Sequence, residues 1–214
     1  IRDKNLTELV SAPGCGRYFT ISPDRSVIGF KLIKKDGMQV PAIFDLSAMK
    51  IIEMSAPVDL CGQVSFSNNG DIAFTTGNEL HVNSNQTTRV YDLEAYSNIA
   101  PVSPDGYYAI FTKEDNQLYV LDLMTGQIKM ITDNAYGYFY PRWSPDGNKV
   151  VYSSLPGTLM VWNKITDTTY TIGAGENASW SDDSQFLLYN VVIRDNFEFL
   201  GSEIYKSRYD GSQK

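Results

Sequence analysis

The chain has 214 residues, of which 43% are hydrophobic and 20% charged, and its formal net charge is −7. Its only basic doublet is Lys34-Lys35, and no apolar run reaches the ~20 residues of a membrane helix. Nucleic-acid backbones, anionic membrane surfaces and membrane insertion are therefore not expected. With 14 Tyr against 10 Phe and 3 Trp, the composition suits sheets whose rings pack while their hydroxyls stay wet.

Leu6 to Val10 reads as a short strand, followed by Ser11-Ala12-Pro13. Strands are then predicted at 18–21, 26–33, 39–45 and 50–54, the last followed by the similar Ser55-Ala56-Pro57. A second group falls at 63–66, 71–75, 79–83 and 88–93. A third falls at 99–102, 107–112, 117–123 and 127–132, and a fourth at 140–143, 149–153, 158–163 and 168–172. A fifth group, at 178–180, 185–193 and 202–209, has only three members. Each group is a meander of short alternating runs separated by turn residues.

The same turn follows the first strand of every group. Ser103-Pro104-Asp105-Gly106 and Ser144-Pro145-Asp146-Gly147 are its full form. Ser22-Pro23-Asp24-Arg25, Ser67-Asn68-Asn69-Gly70 and Ser181-Asp182-Asp183-Ser184 are weaker copies. The serines are spaced by 45, 36, 41 and 37 residues. Proline presets φ, aspartate bonds the local backbone, and glycine takes positive φ. A repeat of about 40 residues signals stacked supersecondary units. The fold expected is all-β: a single β-propeller over residues 1–214 with five four-stranded blades. Leu6 to Val10 is expected to supply the fourth strand of the last blade and so remove an open edge. The alternative is a piece of a longer propeller. Residue 1 is Ile, not Met, which implies processing or excision, with a signal peptide expected to have been removed.

Ile21, Phe66, Val102, Trp143 and Trp180 each precede a motif serine, and they are expected to pack between neighbouring blades. Such burial contributes about 1.5–3 kcal/mol per side chain. The segment Phe139 to Tyr152, built around Trp143-Ser144-Pro145-Asp146-Gly147, resembles the TolB-type propeller repeat, a WD-like "PD" repeat. So do Gln117 to Leu123 with Gly126 and Ile131-Thr132, and Glu203-Ile204-Tyr205 with Asp210-Gly211. The resemblance implies a β-propeller, usually bacterial and often in the cell envelope, so a periplasmic or extracellular location is expected. It does not fix a function. The family's separate α/β domain is not part of the chain, so the partnership of that architecture does not carry over.

Chemistry is sparse. His81 is the single histidine and is expected to be a packing residue. No metal or cofactor motif occurs, although Asp195-Asn196-Phe197-Glu198 offers oxygen ligands without the spacing of a known loop. A nucleophilic triad would need His81, and no G-x-S-x-G turn is present. A glycan hydrolase needs two carboxylates facing a cleft. The predicted inner strands hold none, Glu176 and Asp59 lie in nearby loops, and Asp24, Asp105, Asp146 and Asp182 are explained by their turns. Cys15 and Cys61 precede the inner strands of adjacent blades. They are either a disulfide tying those blades together or two buried small apolar groups.

The loop from Asn134 to Tyr140 concentrates rings around Gly137. Tyr136, Tyr138, Phe139 and Tyr140, with Arg142, are residue types that anchor interfaces and sugar grooves. Phe197 and Phe199, in the long segment 192–201, form a second candidate surface. The expected function is a non-catalytic scaffold binding a protein or glycan partner in the bacterial cell envelope, with oligomeric state unspecified. The alternative is a peptidase-linked gate propeller or a divergent five-bladed glycan hydrolase.

Overall fold

A computed structural model describes residues 8–16, 18–85, 87–195 and 198–212. The strands form five antiparallel sheets, and the chain is an all-β, five-bladed propeller. Among the described residues no helix is long and apolar enough to cross a membrane. By internal packing the chain divides into residues 1–100 and 101–214.

In the first unit, sheet one comprises β1 (Phe19–Ile21), β2 (Val27–Ile33), β3 (Gln39–Asp45) and β4 (Lys50–Glu53). Sheet two comprises β5 (Ser65–Phe66), β6 (Ile72–Thr76), β7 (Glu79–Ser84) and β8 (Thr87–Asp92). In the second unit, sheet three has β9 (Tyr108–Thr112), β10 (Leu118–Asp122) and β11 (Ile128–Met130). Sheet four has β12 (Tyr138–Trp143), β13 (Lys149–Ser154), β14 (Thr158–Asn163) and β15 (Thr168–Ala174). Sheet five has β16 (Glu176–Trp180), β17 (Phe186–Asp195) and β18 (Glu198–Arg208). The inner strand expected at 99–102 is reduced to one bridge, Val102 with Ala109. Pro101 lacks the N–H that a longer ladder would use, although its carbonyl accepts from Ile110 N–H at 3.1 Å.

The serine turns work as one device. The Ser144 carbonyl accepts from Gly147 N–H at 2.9 Å, closing a β-turn. Its buried hydroxyl donates to Asp146 Oδ1 at 2.6 Å and accepts from Lys149 N–H at 2.9 Å. Ser22 with Asp24, Ser103 with Asp105, and Ser181 with Asp183 repeat the side-chain bond. In the fifth turn the partner is therefore Asp183, not the expected Asp182. In the second turn, which lacks the Pro-Asp pair, Ser67 donates to Asp71 Oδ2 at 2.7 Å. The residue closing each turn has positive φ, including Arg25 and Ser184 where glycine is missing. The hydrogen-bonded aspartate offsets that strain.

Packing follows sheet order within each unit. Ile43 of sheet one meets Phe74 of sheet two and Val64 just before it, and Thr20 Oγ1 donates across to the Val64 carbonyl at 2.7 Å. Ile110, Leu118 and Val120 of sheet three meet Val150, Tyr152 and Trp162 of sheet four. Val151, Leu159, Val161 and Ile172 then meet Leu187 and Tyr189 of sheet five. Trp143 and Trp180 pack against these cores as expected. Their indole N–H groups donate to the inner segment of the preceding blade, to Pro101 O at 3.0 Å and Arg142 O at 3.2 Å. Ile21 departs from the expectation. It is 53% exposed because it lies on the opposite face of β1 from Thr20, which takes the contact with sheet two.

Of the closing strand expected at 6–10, Leu6 and Thr7 lie outside the described residues. Glu8 to Val10 are in no strand, and Val10 packs with Ala12 and Cys15 against the Phe30–Leu32–Phe44 cluster of sheet one.

Candidate partner-binding site

The ring-rich loop is held from below by one amide side chain. Gln117, at the entry to β10, is buried. Its Nε2 donates to the Tyr136 carbonyl at 2.8 Å. Its Oε1 accepts from Asn134 N–H at 3.1 Å and from Thr132 Oγ1 at 2.8 Å. Tyr138 N–H donates to Asn116 O at 2.9 Å, and Leu155 N–H to Gly137 O at 3.0 Å. The loop backbone is thus tied to sheets three and four at several points. Gln117 was not singled out in the sequence. A polar residue at the edge of an apolar strand looks solvated there, and only the folded loop gives it partners.

The three tyrosines have different fates. Tyr136 is 54% exposed, Tyr138 is 1% exposed, and Tyr140 is 69% exposed. Tyr138 is therefore a core residue and not the contact residue that was expected. Its ring packs edge-on to Tyr152 with centroids 5.6 Å apart, and its hydroxyl donates to Asp133. Burial and then that bond push the Tyr138 phenol well above its ordinary range, while the same bond holds Asp133 below the usual carboxylate range. Tyr140 escapes the core because β12 bulges between Phe139 and Arg142, with Tyr140 at φ 57°. The bulge resets which way the next side chain faces. The half-buried Phe139 ring lies over Gly137, where an added Cβ would come within 3.0 Å of it. Arg142 is exposed, and its Nη1 donates to Ala178 O at 3.1 Å, which ties β12 to β16. Tyr136, Tyr140 and Arg142 are consequently displayed from a fixed frame.

This frame has known counterparts. The structure of TolB from Acinetobacter baumannii matches with a TM-score of 0.67 at 20% identity, over 90% of this chain and 51% of that one. The fold is TolB-like. The structure of a putative TolB from Agrobacterium tumefaciens matches with a TM-score of 0.54 at 17% identity, over 80% of this chain and 66% of that one. An oligogalacturonate lyase in complex with manganese matches with a TM-score of 0.67 at 15% identity, over 97% of this chain and 66% of that one. The chain spans about half the length of the Acinetobacter TolB. No family model and no curated protein matches the sequence.

The other candidates of this TolB-like propeller lie on other elements of the fold. Phe199 is exposed on β18, and Phe197 lies outside the described residues. Asp195 and Glu198 pair across the end of the β17–β18 hairpin. Among the described residues no three His, Cys, Asp or Glu side chains gather as a metal site requires. His81 stacks on Phe74 at 5.1 Å, and its Nε2 lies 2.7 Å from Thr76 Oγ1; burial lowers its pKa. Glu176 falls within β16 and not in the loop expected for it. Its Oε1 lies 3.5 Å from Asn190 Nδ2.

Cys15 and Cys61 are both free thiols, so the cross-blade staple is not formed. Cys15 belongs to the apolar cap on sheet one, where Ala12 N–H points at its sulfur from 3.4 Å. Cys61 is fully buried beside β6, bridged to Thr76, and burial pushes its thiol up to about 11. The two lie in separate packing environments, with Cys61 buried and Cys15 half-buried.

Proposed function

We propose that this propeller is a non-catalytic scaffold that holds a protein or glycan partner in the bacterial cell envelope. The observation behind this reading is the display of Tyr136 and Tyr140 on a loop whose backbone Gln117 pins. Exposed tyrosines on a rigid frame lose little entropy on binding and present a ring and a hydroxyl together. The likeness to the two TolB structures supports the envelope assignment.

The test is capture of envelope proteins and of cell-wall glycan fragments by wild type and by the Tyr136→Ala/Tyr140→Ala double variant. The expected result is a partner retained by wild type and lost by the variant, with melting temperatures within ~2 °C because neither ring is buried. Equal capture by both proteins would remove the loop as the contact surface.

A catalytic reading has one observation in its favour, the likeness to the oligogalacturonate lyase. Incubation with oligogalacturonate and manganese distinguishes the two. Accumulation of unsaturated cleavage products would replace the scaffold reading with an enzyme.

A further inference from the structure

The inner strands β12 and β16 break at the same point of the repeat. β12 shifts register between Phe139 and Arg142, and β16 between Glu176 and Ser179. In each, the residue four before the motif serine takes the left-handed conformation, Tyr140 at φ 57° and Asn177 at φ 56°. Neither is glycine, and for a ring-bearing residue that conformation is costly. Both side chains emerge exposed. Bulges of this kind re-aim a side chain and are over-represented beside functional sites.

The two strands are fixed to each other. Arg142 Nη1 donates to Ala178 O at 3.1 Å, and Trp180 Nε1 donates to Arg142 O at 3.2 Å. The Asn177 amide is oriented as well. Its Nδ2 donates to Asn190 Oδ1 at 3.0 Å, and Asn190 Nδ2 lies 3.5 Å from Glu176 Oε1. Asn177 Oδ1 and Glu176 Oε2 accept no hydrogen bond among the described residues. Neighbouring strands thus present one exposed ring, one held amide, one carboxylate and one guanidinium. The two charges have opposite sign, so the set as a whole does not call for an ionic ligand. The same bonds disfavour an extended peptide. β12 and β16 are edge strands of their sheets, and strand addition would use their main-chain groups. Pro141 has no N–H, and the carbonyls of Arg142 and Ala178 are already taken.

We propose that Tyr140, Asn177 and Glu176, flanked by Arg142, form a subsite for one sugar of a neutral β-linked glycan. The C–H face of a pyranose lies on the Tyr140 ring, and its neighbouring hydroxyls donate to Asn177 Oδ1 and to the Glu176 carboxylate. A pyranose whose hydroxyls are all equatorial has a flat apolar face and a rim of donors, and this surface offers a partner for each. Side-chain recognition of this kind needs no main-chain edge, so the blocked carbonyls do not oppose it. The proposal rests on the partner-binding reading above and narrows its partner from protein or glycan to glycan.

The experiment titrates ¹⁵N-labelled protein with cellotriose and, separately, with chitotriose, and follows the side-chain amide signals of Asn177 and Asn190. The Trp162 indole, which packs against sheet three, is the internal reference. The expected result is a saturable shift of both amides with at least one of the two sugars, without movement of the Trp162 signal. Tyr140→Ala should weaken binding at least ~5-fold, and Tyr140→Phe should keep it within ~2-fold, because the ring and not its hydroxyl makes the contact. Asn177→Gly removes the amide but suits the left-handed backbone. It should leave the melting temperature unchanged or higher and still weaken binding at least ~5-fold. Amide signals that stay still with both sugars overturn the proposal, as does wild-type affinity in Asn177→Gly. Tighter binding of trigalacturonate than of either neutral sugar, or the same shifts with a blocked tetra-alanine peptide, overturns it too. Tyr136→Ala alone should bind the sugars normally. Failure of the sugars, with a protein still captured by wild type and lost by Tyr136→Ala/Tyr140→Ala, would end the glycan subsite and leave the loop reading standing.

Discussion

Sheet four and sheet five come from the same repeat but meet their surroundings differently. Sheet four is covered on both faces, by Ile110, Leu118 and Val120 on one side and by Leu187 and Tyr189 on the other. Within the second unit and among the described residues, sheet five has one such face. Its β17 and β18 carry Leu188 and Ile204 outward, and Ile204 is 81% exposed. The outward side is managed by charge and shape instead. Lys206 lies 4.0 Å over the Phe186 ring, Arg208 shares that face, and the pairing shifts register between Ile193 and Arg194. These are the devices by which sheet edges avoid pairing with other chains. Within the second unit, one sequence pattern thus yields a sheet buried on both faces and a sheet whose second face is charged and exposed among the described residues.

The contrast is sharpest at two adjacent residues of β17. Leu187 is fully buried against sheet four, and Leu188 points to the open side. Leu187→Ala should cost about 2–5 kcal/mol, the range for deleting a buried leucine. Leu188→Ala should change stability by no more than about 0.5 kcal/mol. Urea unfolding of both variants measures this. Similar losses at the two positions would mean that the outward face is covered in solution.

A smaller effect compares the serine turns. Ser144 is fully buried, and its hydroxyl is both donor to Asp146 and acceptor for Lys149 N–H. Ser144→Ala leaves that N–H unmatched and should cost about 1–3 kcal/mol. Ser181 makes the same bonds to Asp183 and Phe186 N–H in the more open fifth turn. Ser181→Ala should cost less, because water can replace the lost partner. Equal values from the same unfolding series would show that the turn works identically in both settings.

Much of this was legible in the sequence. The repeat spacing located all five sheets, and Thr158–Asn163 and Gln39–Asp45 match their predicted strands at both ends. The turns were readable because their chemistry is local: serine, proline, aspartate and glycine act within five residues of chain. Tyr138 was not readable. Residues 136, 138 and 140 share a parity, and simple alternation puts all three rings on one side. The bulge at Tyr140-Pro141 and the loop position of Tyr136 break that parity; Pro141 marks the break, but alternation alone does not say which ring it turns outward. Asp183 was missed for a related reason. Two aspartates follow Ser181, and only the backbone path decides which one reaches the hydroxyl. The cavity lined by Met130, Tyr138, Tyr152, Met160, Trp162 and Thr169 was out of reach because its residues come from β11 to β15, so no short window contains it.

The smallest expected effect is the acid response of the turns. Hydrogen bonds from Ser22 and then Ser26 hold Asp24 down at about 2, against an ordinary value of 3.8. Ser181 lowers Asp183 in the same way. A carboxylate depressed in the folded state adds stability that is fully present above its unfolded value and is lost as pH falls through its folded value. The melting temperature should therefore hold between pH 7 and 5 as far as these groups are concerned, then decline from about pH 4 toward pH 2. Asp24→Asn removes one such titration and should make the decline shallower, while lowering the melting temperature slightly at pH 7. Because Asp24 is in contact with water the change will be modest. Thermal melts of wild type and variant across this range decide the matter. Parallel curves would show that Asp24 keeps the same proton affinity in the folded and unfolded chain, and that the first turn is held by its backbone bond alone.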